Sequence, residues 1–196
     1  MSLCGKIFQG FDNPCEIGVN GYRQIAVPFN LDDVDKDSIV INRPDYEAGE
    51  CDYTVEFTLK EGKKGFAITA IDAGTTIRGY VSKTRNEQGY PVYIHNVDIF
   101  LSGIDVLTKC MLHSLDAGRY AIALMGNDGT VEIYGFRNGL TSGDYDYNIT
   151  ENGGGSVITL SSLENSPEGL LPLVYKAGSG STPELDFESL FENAGA

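Results

Sequence analysis

The chain has 196 residues, 41% of them apolar, and a net charge of −14 from 14 Lys and Arg against 28 Asp and Glu. That length sustains one full hydrophobic core, and the excess of acid argues against a surface that gains affinity by neutralising phosphates. No apolar run approaches the roughly 18 residues needed to span a bilayer, and residues 1–10 lack an apolar signal segment, so neither membrane insertion nor ordinary export is expected.

Residues 1–24 hold turn signals (FDNPC, VNGY) with little periodicity and are assigned to an N-terminal arm. A β-rich domain is expected over 25–176. Its first strand, 25–29 (IAVPF), carries Pro28, which suits an edge or a strand end. The acidic run that follows places Asp33, Asp35, Asp37 and Ile39 at the early positions of a calcium loop. Ser38 stands where that loop needs its glycine and Pro44 where it needs its glutamate, which favours a solvated turn into a strand at 39–42.

Residues 53–59 (YTVEFTL) alternate Tyr53, Val55, Phe57 and Leu59 with polar neighbours, the pattern of a half-buried strand. Strands at 66–71 and 76–81 flank a turn at Asp72, Ala73 and Gly74. Residues 60–65 and 82–89 then form basic loops. Between 60 and 85 lie six of the 14 basic side chains, Lys60, Lys63, Lys64, Arg78, Lys83 and Arg85, against two acids, Glu61 and Asp72. From Thr141 onward the balance reverses, with nine acids facing Lys176 alone, so one basic island and one acidic end are available for head-to-tail contact between copies. Solvated loops would show the same charge runs.

The longest strand is expected at 90–101, centrally placed because both of its faces are partly apolar. A helix follows, capped by Ser102, with Ile104, Leu107, Met111 and Leu115 as its buried stripe, Cys110 beside them and Gly118 as its stop. Residues 120–125 (YAIALM) are apolar on both faces and turn through Asp128-Gly129 into 131–136 as a hairpin. Tyr145, Tyr147 and Ile149 alternate with Asp144, Asp146 and Asn148, giving a strand acidic on one side. Strands at 157–160 and 170–175 close the domain. Residues 177–196 are a Gly/Ser linker and a short acidic segment whose Leu185, Phe187, Leu190 and Phe191 are expected to dock on a partner surface.

Catalytic patterns are sparse. His95 and His113 lack a third ligand at metal spacing, no G-x-S-x-G occurs, and GGGSVITLSS lacks the lysine of a phosphate loop and leads into a strand. Cys4, Cys15, Cys51 and Cys110 are irregularly spaced, which fits reduced thiols. No enzyme activity, cofactor or metal is expected.

The order of elements over 90–175, a strand YPVYIHNVDIFLSG, a helix ending LDAG, the hairpin YAIALMGNDGTVEIYGFRNGL, and a glycine-rich turn into ITLSS and LLPLVYK, resembles tail-tube and tail-ring structural proteins of bacteriophages, most closely ring-forming tail proteins of gut phages. The resemblance implies a mainly β fold with one flanking α-helix, a barrel or sandwich whose copies join side by side around a channel. It implies a homo-oligomeric ring of roughly six or twelve copies in the virion tail, assembled in the bacterial host cytoplasm. Adjacent tail proteins would be its partners, with no membrane, and DNA would pass through without specific binding. Glu132, Asp144 and Asp146 become candidates for the lumen face, and Lys63, Lys64, Lys83 and Arg85 for contact with the next ring. The competing reading is an acidic β-sandwich adhesion module that binds carbohydrate or protein.

Overall fold

The computed structural model describes residues 21–43, 53–69, 77–103, 105–145, 147 and 155–191. Within them the chain is mainly β. Its strands are β1 (Tyr22–Asn30), β2 (Val40–Asn42), β3 (Thr54–Glu56), β4 (Ile68–Thr69), β5 (Arg78–Arg85), β6 (Pro91–Ser102), β7 (Tyr120–Gly126), β8 (Val131–Tyr134), β9 (Leu140–Ser142), β10 (Gly155–Ser162) and β11 (Leu173–Tyr175). Helix α1 (Val106–Ala117) follows β6 and helix α2 (Pro183–Glu188) follows β11.

Strand β7 organises the fold. It pairs antiparallel with β1 along one edge (Ala26 opposite Leu124, Asn30 opposite Tyr120) and with β8 along the other (Ile122 opposite Tyr134, Met125 opposite Val131). Its alternate residues feed two cores, which is why YAIALM carries no strongly polar side chain. Ala121, Ala123 and Met125 face a core of Phe29, Phe57, Ile133, Phe136 and Tyr175, while Ile122 and Leu124 face one of Val97, Ile99, Leu115, Ile158 and Leu160. The β7–β8 hairpin closes as expected at Asp128-Gly129, where Gly129 takes φ +88° and the Gly126 N–H donates to the Thr130 carbonyl at 2.7 Å.

After Tyr134 the chain leaves the ladder. Gly135, at φ +68°, starts an excursion over 135–139, and β9 rejoins beside Tyr120 before passing to β10. The sheet therefore runs β2-β3-β11-β8-β7-β9-β10-β6-β5, with β1 and β4 branching from β7. It is open, so the barrel alternative gives way to a sandwich-like stack in which the β9-β10-β6-β5 limb covers the second core. Pro28 sits just beyond the two-residue pairing of β1 with β4, where only its carbonyl is used, by the Phe66 N–H at 3.0 Å.

Several expectations need correction. Two helices are present where one was expected. The cap of α1 is Asp105, whose carboxylate accepts from the Thr108 N–H at 2.8 Å, because Ser102 is still the last residue of β6. The apolar stripe is set by Leu112 and Leu115 with Met111 beside them. Leu107 is 73% exposed and Cys110 is exposed, since the residue one turn before Leu112 is Thr108. Ile104 lies outside the described residues. The strand expected over 53–59 shortens to three residues, although Val55, Phe57 and Leu59 do point inward. Residues 82–85 belong to β5 and are no loop. Among the described residues of 143–150 there is no strand, and β9 lies earlier instead. Of the arm expected over 1–24, residues 22–24 belong to β1 instead; residues 1–20, with Cys4 and Cys15, and also Cys51, the turn at 72–74, Ile149 and 192–196 fall outside the described residues.

Gly79 of β5 packs directly on Tyr134 and Leu124. A Cβ there would lie 2.4 Å from Tyr134 Cζ and 2.8 Å from Leu124 Cδ1. Tyr134 cannot swing aside, because its hydroxyl is bonded to that of Tyr22 at 2.8 Å and to Glu132 at 3.3 Å. Gly79→Ala is expected to destabilise the fold by about 1–3 kcal/mol, seen as a lower urea midpoint at unchanged slope.

Candidate assembly interface

Strand β5 (RGYVSKTR) ends the sheet, and among the described residues it has a ladder partner on one side only, β6. All eight of its residues pair in unbroken register, from Arg78 opposite Asp98 to Arg85 opposite Pro91. No proline or bulge interrupts β5, so among the described residues its outer row of backbone N–H and C=O groups has no ladder partner, and Arg78, Lys83 and Arg85 are the charged side chains along it. At the hairpin tip Asn86 accepts from the Tyr90 N–H through Oδ1 (2.8 Å), and Arg85 donates to the Gly89 carbonyl (2.7 Å).

Cross-strand rows stiffen this limb. Asp98 of β6, only 4% exposed, accepts from Arg78 Nε through one oxygen and from Thr159 Oγ1 of β10 through the other, the latter at 2.7 Å. Two residues along, Ser161 Oγ donates to Asn96 Oδ1 at 2.7 Å, and the Arg78 guanidinium lies 5.3 Å from the centre of the Tyr80 ring. Buried polar groups on this face are thus satisfied in pairs across strands, which fixes the edge strand in place.

The four basic candidates are not gathered in one place. Lys83 and Arg85 stand exposed on β5, toward the hairpin tip and away from α1. Lys63 lies 3.5 Å from Asp33 and lines a groove of about 940 Å³ with Ala117, Gly118 and Arg119 at the end of α1, and Lys64 beside it is exposed. The lumen candidates also separate. Glu132 on β8 is part-buried and accepts from the hydroxyls of Tyr22 and Tyr134, both of which burial and this hydrogen-bonded cluster push well above the ordinary phenol range. Asp144 is exposed in the segment after β9, and Asp146 lies outside the described residues.

The C-terminal segment is used within the chain, which corrects the expectation of a partner surface for its aromatic residues. Phe187 (2% exposed) and Phe191 (4%) complete the first core, and Leu190 packs against it. Leu185 alone stays well exposed. The aspartates of the calcium-like run serve turns: Asp35 accepts from the Asp37 N–H at 3.1 Å and Asp33 from Asn30 at 3.0 Å. Among the described residues no three His, Cys, Asp or Glu side chains gather as a metal site, and no helix is long and apolar enough to cross a membrane. His113 is exposed on α1; His95 is buried at the junction of β6, the 135–139 excursion and the connection from β10 to β11.

The full length of the β5 edge was not evident in the sequence, because the strand read at 76–81 ends at Val81 and residues 82–85 read as basic loop. The signal that points to it is β6: a twelve-residue strand preceded by an Asn-Glu-Gln-Gly turn needs a hairpin partner of comparable length. Comparison with known protein families, characterised proteins and solved structures finds no match.

Proposed function

We propose that the chain is a non-enzymatic structural subunit of a phage tail, in which copies join edge to edge through β5 and close into a ring around a channel. The observation that carries this reading is the open sheet with a long, regular terminal strand that no proline or bulge interrupts. An edge of this kind invites aggregation unless a partner covers it, and closing a ring covers every such edge with a copy of the same chain. The −14 charge suits a conduit, because an acidic wall repels phosphates and lets DNA slide through without adhering.

The separated cations take different roles on this reading. Lys83 and Arg85 flank the seam between neighbours, whereas Lys63 and Lys64 face the next ring. Electron micrographs of purified wild-type protein are expected to show annuli, some of them stacked. Lys63→Glu with Lys64→Glu should leave single annuli, and Lys83→Glu with Arg85→Glu should reduce the number of annuli themselves. Annuli unaffected by the second pair and stacks unaffected by the first would remove both assignments.

A further inference from the structure

We infer that residues 163–172, the connection from β10 to β11, form a strap held closed by a latch at His95, and that acid opens this strap as a unit while the sheet beneath stays intact. The strap crosses the start of β6 and the 135–139 excursion. Tyr93 and Glu168 exchange two backbone hydrogen bonds (2.9 and 2.8 Å), the Glu168 carboxylate accepts from the Asn138 N–H at 2.9 Å, and Asn138 Nδ2 donates to the Pro167 carbonyl at 2.8 Å.

His95, 2% exposed, closes the latch. Its Nδ1 lies 3.1 Å from the Gly135 nitrogen, and a backbone N–H can only donate, so Nδ1 carries no hydrogen. The hydrogen is therefore on Nε2, which donates to the Leu170 carbonyl at 2.9 Å. A second proton on the ring would set one N–H against another at Gly135. Around the ring stand the Tyr134 ring from β8, centred 5.6 Å away, the Ser162 hydroxyl from β10, which accepts from the His95 N–H, and Val81 opposite on β5. Nearby on the strap is Glu168, on which Arg137 of the excursion acts. Among the described residues both ring nitrogens are taken by backbone groups and no carboxylate is hydrogen-bonded to the imidazole to offset its charging.

The sign follows from burial. Desolvation lowers the imidazole from 6.5 to about 4, so between these values the open state takes up a proton that the closed state refuses, and opening gains as pH falls. From pH 7 to 4.5 this favours the open strap on the order of 50-fold. Glu168 works in the opposite direction, because burial raises its carboxyl and the closed state holds that proton more tightly. The acid response should therefore be steeper in Glu168→Gln than in wild type, and absent or reversed in His95→Gln, whose amide can still donate and accept.

Hydrogen exchange on the full chain at pH 7, 5.5 and 4.5, corrected for the intrinsic rate, tests this. The amides of Tyr93, Asn138 and Glu168 are expected to lose protection with falling pH, approaching 50-fold in Glu168→Gln, while β6–β10 ladder amides hold. Loss only together with the ladder, no loss in Glu168→Gln, or equal loss in His95→Gln would overturn the latch. Nitrogen spectra of the wild-type ring keep the question open to a decision if His95→Gln fails to fold. A neutral Nε2–H ring that charges together with strap opening supports the latch; a ring titrating at its ordinary value with the strap unmoved refutes it.

Discussion

Removing residues 177–196 is expected to unfold the domain. The segment supplies Phe187 and Phe191 to the first core, where Phe191 lies 5.1 Å from Tyr175, 5.7 Å from Phe29 and 5.8 Å from Phe57, centre to centre. Thr182 caps α2 by accepting from the Leu185 N–H, Pro183 occupies its first turn, and the buried Asp186 accepts from Tyr175 at 2.7 Å and Ser181 at 2.5 Å. Leu190 and Phe191 both sit at φ +58°, a conformation that costs on the order of 1 kcal/mol or more for a residue with a side chain. The segment holds that conformation because the aromatic burial outweighs it.

Phe187→Ala alone should cost about 3–5 kcal/mol, a large part of the ~5–15 kcal/mol that stabilises a domain. Truncation after Lys176 would uncover Phe29, Phe57 and Tyr175 at once. Near-ultraviolet circular dichroism and urea titration check this. A truncated chain that keeps the full-length unfolding midpoint would show that the segment is dispensable to the fold.

The second large effect concerns the seam. In an antiparallel edge strand, successive residues turn their N–H alternately toward the neighbouring strand and away from it. Of Ser82→Pro and Lys83→Pro, one therefore removes a hydrogen bond to β6, and the other removes only an outward donor. The first is expected to loosen the β5–β6 hairpin. The second should keep the monomer's stability within about 1 kcal/mol of wild type yet weaken side-by-side association at least about tenfold, the scale set by losing an intermolecular backbone bond and clashing with the incoming strand. Lys83→Ala separates the loss of charge from the loss of the donor. Association unchanged in the well-folded proline variant would place the seam elsewhere.

Elements whose pattern is local were legible in the sequence. YAIALM announced a strand buried on both faces, Asp128-Gly129 its hairpin, and Gly118 the end of a helix, although the stripe read through Leu107 was not that helix's buried face. Where tertiary pairing decides, the sequence was silent. The excursion at 135–139 depends on the positive φ of Gly135 and on partners as remote as His95 and Glu168, so β9 could not be placed. The acidic, Gly/Ser-led C-terminal segment has the composition of a free tail, and only the aromatic cavity left by β1, β3 and β11 shows why it folds back. The scattering of Lys63, Lys64, Lys83 and Arg85 has the same origin: neighbours in sequence, they ride on elements that the sheet carries apart.

On the proposed reading the β5 edge finds its partner in another copy of the chain. The most direct measurement is the mass of the purified wild-type protein by sedimentation, from micromolar to hundreds of micromolar. A closed oligomer of fixed stoichiometry that grows in with concentration and appears as annuli in micrographs is the predicted result. A monomer across the whole range would contradict it.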